Sequence, residues 1–200
     1  MAVTPNYSWP VPVNTDYVKD GAEAIKDLGD AIDATVFGLP SGALTLVKTQ
    51  VIGTAVTSVT VTGAFSATYD AYKVVISGGA NTTNADAFLR IGGVDAGYYF
   101  QYIYTNWGNT LLADASAGGA SAIQYAGNAT TSGLYANIEI NSPFLNKNTF
   151  VQAFGGGSFQ SYVGNTNGLL GNSNSYTSFS WHSGSGTMTG GTVSVYGYAK

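Results

Sequence analysis

The only imidazole in this chain is His182. It closes a stretch in which Tyr176, Ser178, Ser180 and His182 alternate with Thr177, Phe179 and Trp181. Histidine-assisted serine hydrolysis needs a base held against a serine and oriented by an acid. Serines are plentiful, and Asp70, Asp86, Asp95 and Asp114 are available, but no Gly-x-Ser-x-Gly elbow occurs. His182 therefore reads as a rim or surface residue of a strand. Glycoside hydrolysis by paired carboxylates would draw on the same four aspartates and Glu139, of which only Glu139 lies in a strongly alternating strand. Metal chemistry is poorly provided for, with one histidine and no cysteine. The stretch from Asp86 to Asp95 lacks the regular oxygen spacing of a calcium loop. The ladder Asp27, Asp30, Asp33 reads as a solvated helix face. Gly155-Gly156-Gly157 has no Lys-Ser/Thr ending and precedes no helical pattern, so it is a turn and not a phosphate cradle. Gly78-Gly79 and Gly92-Gly93 read the same way. The expectation is a non-enzymatic protein with no catalytic residue, no metal and no cofactor.

Charge narrows the partners. Only 9 % of residues are charged, and the 16–33 stretch carries six of the eleven acids with two of the seven bases. No basic patch can form to neutralise phosphates, which argues against nucleic acid. No apolar run is long enough to cross a bilayer, and the first twelve residues lack the basic start and apolar core of a signal peptide. What is abundant is surface chemistry: fourteen tyrosines and three tryptophans. Tyrosine buries a large area at low entropic cost and keeps a hydroxyl for bonding. Trp107, in the polar turn 106–110, is either a cap over the core or an exposed recognition element. The 164–175 segment, with Asn165, Asn167 and Asn172, reads as an amide-rich loop that either faces outward for recognition or simply connects strands.

The elements that must position these residues follow from periodicity. Residues 14–37 show apolar side chains at helical spacing. Val18, Ile25 and Ile32 stand seven apart, widened by Ala22, Leu28, Ala31 and Val36. Thr15 or Asp16 is placed to cap this helix, and Gly38 before Leu39-Pro40 stops it. Its stripe needs a partner. Val18, Ile25, Leu28 and Ile32 are the candidate oligomerisation residues, and packing of the helix on its own domain is the alternative. Residues 1–13 form a proline-containing extended arm, with Tyr7, Trp9 and Val11 as candidate anchors. From about residue 42 to 200 the period changes to two. Strands are expected at 43–48, 58–62, 72–77, 87–91, 98–105, 122–126, 133–140, 149–154, 159–163, 176–182 and 192–198, with 114–121 as a loop. Short strands joined by Gly/Asn/Ser turns indicate an antiparallel β-sandwich, jelly-roll-like, in a mainly β protein.

Three segments carry a resemblance. Tyr7 to Asp33, beginning Tyr-Ser-Trp-Pro-Val-Pro-Val, resembles the N-terminal segment of a family of bacteriophage structural proteins: tail fibre, minor tail and head-decorating proteins. Phe65 to Ile76 and the closing Ser185 to Tyr198 resemble the same family. The resemblance implies a virion protein on the phage particle surface. It implies a homotrimer attached through its arm and helix to other virion proteins, with the β domain projecting. It implies no enzymatic residues. The chain lacks long shaft repeats, so a head-fibre or capsid-decoration role stands beside the tail-fibre one. A receptor-recognition module for host surface carbohydrate and, last, a small glycan-cleaving enzyme are the remaining alternatives.

Overall fold

The computed structural model describes residues 2–13, 17–38, 43–106, 108, 110–156 and 162–200. They fall into two compact units, Met1–Gly42 and Ala43–Lys200. In the first, β1 (Ala2–Val3) and β2 (Pro10–Val11) pair as a hairpin, and a 3-10 turn (Val18–Asp20) leads into α1 (Gly21–Gly38). The arm is therefore not simply extended. Ser8 N–H donates to Thr4 O and Trp9 N–H to Thr4 Oγ1, which reverses the chain between the two strands. Winding begins at Val18 with Tyr17 at the capping place and no side-chain cap. Thr15 and Asp16, expected as caps, lie outside the described residues. Among the described residues no helix is long and apolar enough to cross a membrane.

The second unit is an antiparallel β-sandwich. Its strands are β3 (Leu44–Val51), β4 (Ser58–Val61), β5 (Ala71–Ser77), β6 (Ala80–Asn81), β7 (Ala85–Ile91), β8 (Tyr98–Asn106) and β9 (Leu111–Ala120). They continue with β10 (Asn128–Thr130), β11 (Gly133–Asn141), β12 (Thr149–Gly156), β13 (Tyr162–Leu170), β14 (Phe179–Ser183), β15 (Met188–Thr189) and β16 (Thr192–Tyr198). The larger layer runs β3-β16-β5-β11-β12-β13-β8-β9, and the smaller β4-β14-β7-β10. β11 serves both: Gly133 to Tyr135 pair with β10, and 136–141 pair with β5. That shared strand lets one continuous sheet curl over itself.

Alternation places the core. Tyr72, Val74 and Ile76 of β5, Ile138 and Ile140 of β11, and Val193 and Val195 of β16 point inward. They meet Val59, Val61, Leu89, Ile91, Phe179 and Trp181 from the smaller layer. Phe65 joins the layers, its ring 4.9 Å from Tyr72 and 5.7 Å from Phe179. Trp181 is fully buried and donates its indole N–H to Ala126 O at 2.8 Å. Two glycine pairs cross where β5 ends and β16 begins. A Cβ on Gly79 (φ +62°) would stand 2.3 Å from Gly190 O, so only glycine fits.

Several expected elements differ. Residues 114–121 are not a loop: they belong mostly to β9, a strand of small side chains paired with β8. The expected loop at 164–175 is strand as far as Leu170, paired on both sides with β12 and β8. The expected strand at 122–126 is reduced to a single bridge, Leu89 with Ile123. Of the expected strand at 159–163, Tyr162 and Val163 lie in β13 and the rest lies outside the described residues.

Candidate binding face

The outer side of the larger layer is built by the residues left over from the core pattern. On β8, Tyr98, Phe100 and Tyr102 are buried, so Tyr99, Gln101 and Ile103 face out. On β12, Val151 and Ala153 are buried, so Phe150, Gln152 and Phe154 face out. Register then aligns these strands through β13. Gln101 lies opposite Asn167, which lies opposite Gln152. One level along, Tyr99, Leu169 and Phe150 form a second row. On the other side, Ile103, Asn165 and Phe154 form a third. An amide row thus runs between two mainly apolar rows. Tyr99 is 45 % and Phe150 52 % exposed, large values for such side chains. The first two rows line an open groove of about 410 Å³, to which Ser116 and Asn141 also contribute.

The same level continues onto β11 and β5 as Glu139 and Lys73, directly opposite each other. Lys73 Nζ is 2.9 Å from Glu139 Oε1, and the Tyr198 hydroxyl donates to Oε2 at 2.7 Å. That hydrogen bond, with some burial and the charge of Glu139, pushes the Tyr198 phenol up to about 12. Both oxygens of this carboxylate are engaged by protein partners.

His182 lies on the smaller layer. Its Nε2 is 2.7 Å from Ser180 Oγ, and its ring stacks on Phe88 at 4.7 Å with a 7° interplanar angle. Burial, then the Arg90 charge, lowers its pKa below the ordinary imidazole value. A serine hydroxyl and an imidazole are thus in contact. Among the described residues no carboxylate bonds the second ring nitrogen, so the orienting member of a triad is missing. No cluster of three histidine, aspartate or glutamate side chains that could hold a metal gathers among the described residues.

The other sequence candidates are dispersed. Trp107 lies outside the described residues. Asn165 and Asn167 are not in a loop; they face out from β13 in the rows above. Asn172 follows β13, half-buried, and its Oδ1 accepts from the Tyr176 hydroxyl at 2.8 Å. In the N-terminal unit, Trp9 Nε1–H donates to Thr35 Oγ1 of α1 at 2.8 Å, and Tyr7 stacks on Trp9 at 5.1 Å. Val11 and Trp9 are half-buried, while Tyr7 is exposed. The four seam residues divide. Leu28 and Ile32 are half-buried, whereas Val18 is 98 % and Ile25 69 % exposed. Sequence reasoning did not single out Gln101, Gln152 or Phe150. Alternation marked the outward residues of β8 and β12, but nothing local says which strands lie side by side.

Neither a protein-family model nor a curated protein matches the chain. Among solved structures, the chain is similar to CG-16, a homodimeric agglutinin from chicken liver. Identity there is 9 %, coverage 69 % of this chain and 98 % of that one, and the TM-score 0.32. It is similar to exo-inulinase from Aspergillus awamori at 15 % identity, 82 % and 30 % coverage, and a TM-score of 0.30. A structure of infectious bursal disease virus, Gx strain, follows at 12 % identity, 78 % and 32 % coverage, and a TM-score of 0.16. The chain spans about a third of the length of the latter two. At such TM-scores these likenesses carry no argument about what this chain does.

Proposed function

We propose that the chain is a non-enzymatic structural protein of a bacteriophage particle, assembled as a homotrimer through α1 and presenting its β domain outward. The observation that carries the reading is the uncovered apolar stripe of the N-terminal unit. The arm occupies the side of α1 that holds Ala24 and Thr35, and Val18, Ile25, Val36 and Phe37 stay exposed. Ile25 and Val36 return to one side of the helix after three turns. An 18-residue helix with an open stripe is marginal alone in water and gains by packing on copies of itself. The resemblance at 7–33 supplies the virion setting.

Light scattering on the full chain tests the assembly. The expected mass is three times the 20.6 kDa chain, falling to one chain in Ile25→Asp. A full-length monomer sinks the trimer. Antibody against the β domain should decorate phage particles in electron micrographs, and failure to label any particle sinks the virion placement.

A further inference from the structure

The groove on the larger layer has a chemistry of its own, independent of how copies assemble. One side is the amide row Gln101, Asn167, Gln152, the other is the row Tyr99, Leu169, Phe150, and Phe100, Gly168 and Val151 lie at the level between them. Adjacent strands stand about 4.8 Å apart, so three amides span about 10 Å, the reach of two linked pyranose rings. None of these amides is bonded to protein among the described residues. Each offers a donor and an acceptor side by side, the complement of a pair of neighbouring hydroxyls. The faces of Tyr99 and Phe150 suit the C–H side of a sugar ring.

The alternatives fit less well. No acid or base lines the groove, and the nearest carboxylate on that level is neutralised by Lys73, so nothing there selects an ionic ligand. β8, β12 and β13 are paired on both sides, so none offers an edge for a peptide strand to join. A second protein copy laid dry on the face would strip water from three amides without a built partner for each. A sugar brings those partners with it.

We propose that this groove binds a neutral saccharide, with Gln101, Gln152 and Asn167 taking its hydroxyls and Tyr99 and Phe150 its apolar side.

Calorimetry of the full chain with lactose, maltose and N,N′-diacetylchitobiose tests this, with a sulfated disaccharide as the ionic comparator. At least one neutral sugar should bind saturably, at about 1 mM or tighter, as expected for a shallow groove. Gln152→Ala and Phe150→Ala should each weaken it about tenfold or more with melting unchanged, while Thr60→Ala, on the smaller layer, should leave it alone. The proposal is overturned if no neutral sugar binds, if the sulfated one binds best, or if binding ignores both groove variants. It is also overturned if Phe150→Ser dissociates an oligomer, because the groove is then an interface between copies. A chain that forms trimers through α1 yet binds none of the sugars overturns this inference and leaves the assembly reading standing.

Discussion

The two units spend their apolar residues in opposite ways. In the β domain, Trp181, Tyr72, Tyr98, Phe179 and a dozen aliphatic side chains are sealed from water, and strands such as β5, β7 and β16 alternate cleanly between core and solvent. In the N-terminal unit the one buried hydrophobic among the described residues is Ala24, while Val18 and Phe37 are more than nine-tenths exposed. The same physical rule acts in both, since apolar area is worth roughly 25 cal/mol per Å² only once removed from water. The difference teaches that the β domain contains its own stabilisation, whereas α1 and its arm hold theirs in reserve for something outside the unit.

The largest effect that tests this contrast is truncation of Trp181. Trp181→Ala removes a fully buried indole and its bond to Ala126 O, and should cost about 3–5 kcal/mol in urea unfolding of the β domain. Ile25→Asp should leave that transition where it is and act on mass alone. If Ile25→Asp lowered the main transition as far as Trp181→Ala, the contrast would collapse. Next in size is Gly79→Ala. It pairs a positive φ with a Cβ 2.3 Å from Gly190 O, and should cost about 1–3 kcal/mol by the same assay.

Titration sharpens the comparison further, because among the described residues Tyr98, His182 and Tyr198, all perturbed by their surroundings, lie in the β domain. Burial raises Tyr98, and the bond to Glu139 raises Tyr198, each to about 12. A phenol raised on folding contributes stability that is full below its ordinary value near 10 and lost as pH climbs through 10 toward 12. Melting temperature should therefore fall over that window, and Tyr98→Phe should flatten the fall. His182 works at the other end. Its lowered pKa means the unfolded chain takes the proton first. Its contribution is full above the ordinary imidazole value and lost as pH drops through it toward the lowered one. His182→Gln should flatten that acid limb. The smallest effect belongs to Lys26 and Asp30, an exposed pair on α1. Asp30→Asn should not move the main transition measurably.

How much of this was legible in the sequence depended on side-chain size. Alternation of large and small residues placed β5, β11 and β16 within a residue or so, because Tyr72, Ile138 and Val195 must enter a core their neighbours must avoid. β9 escaped notice because Ala113 to Ala120 offers no large side chain to alternate. β13 was hidden by its glycines. Gly164 and Gly168 sit opposite Tyr104 and Phe100, where a Cβ would come within 2.6 Å and 3.1 Å of those residues' own Cβ atoms. Residues that signal a turn in isolation are here the space into which neighbouring aromatics fit. The groove was invisible for a third reason. Its amide row and its apolar row draw on β8 as well as on β12 and β13, and register is a property of the assembled sheet. The helix itself was legible, but not that Val18 would fall in the turn before it or that the arm would fold back and claim one side.

The place of β16, between β3 and β5, has a consequence for how the molecule is made. While the chain is being synthesised, β3 and β5 each wait with an open edge until the strand that seals them, Thr192–Tyr198, has been added. At about 5–20 residues per second, that strand follows α1 off the ribosome by roughly 10–30 s. For that interval the helix and arm, already synthesised, precede a β domain that is still unsealed. On the proposed assembly through α1, copies made from one messenger would be joined at the helix before their β domains had closed.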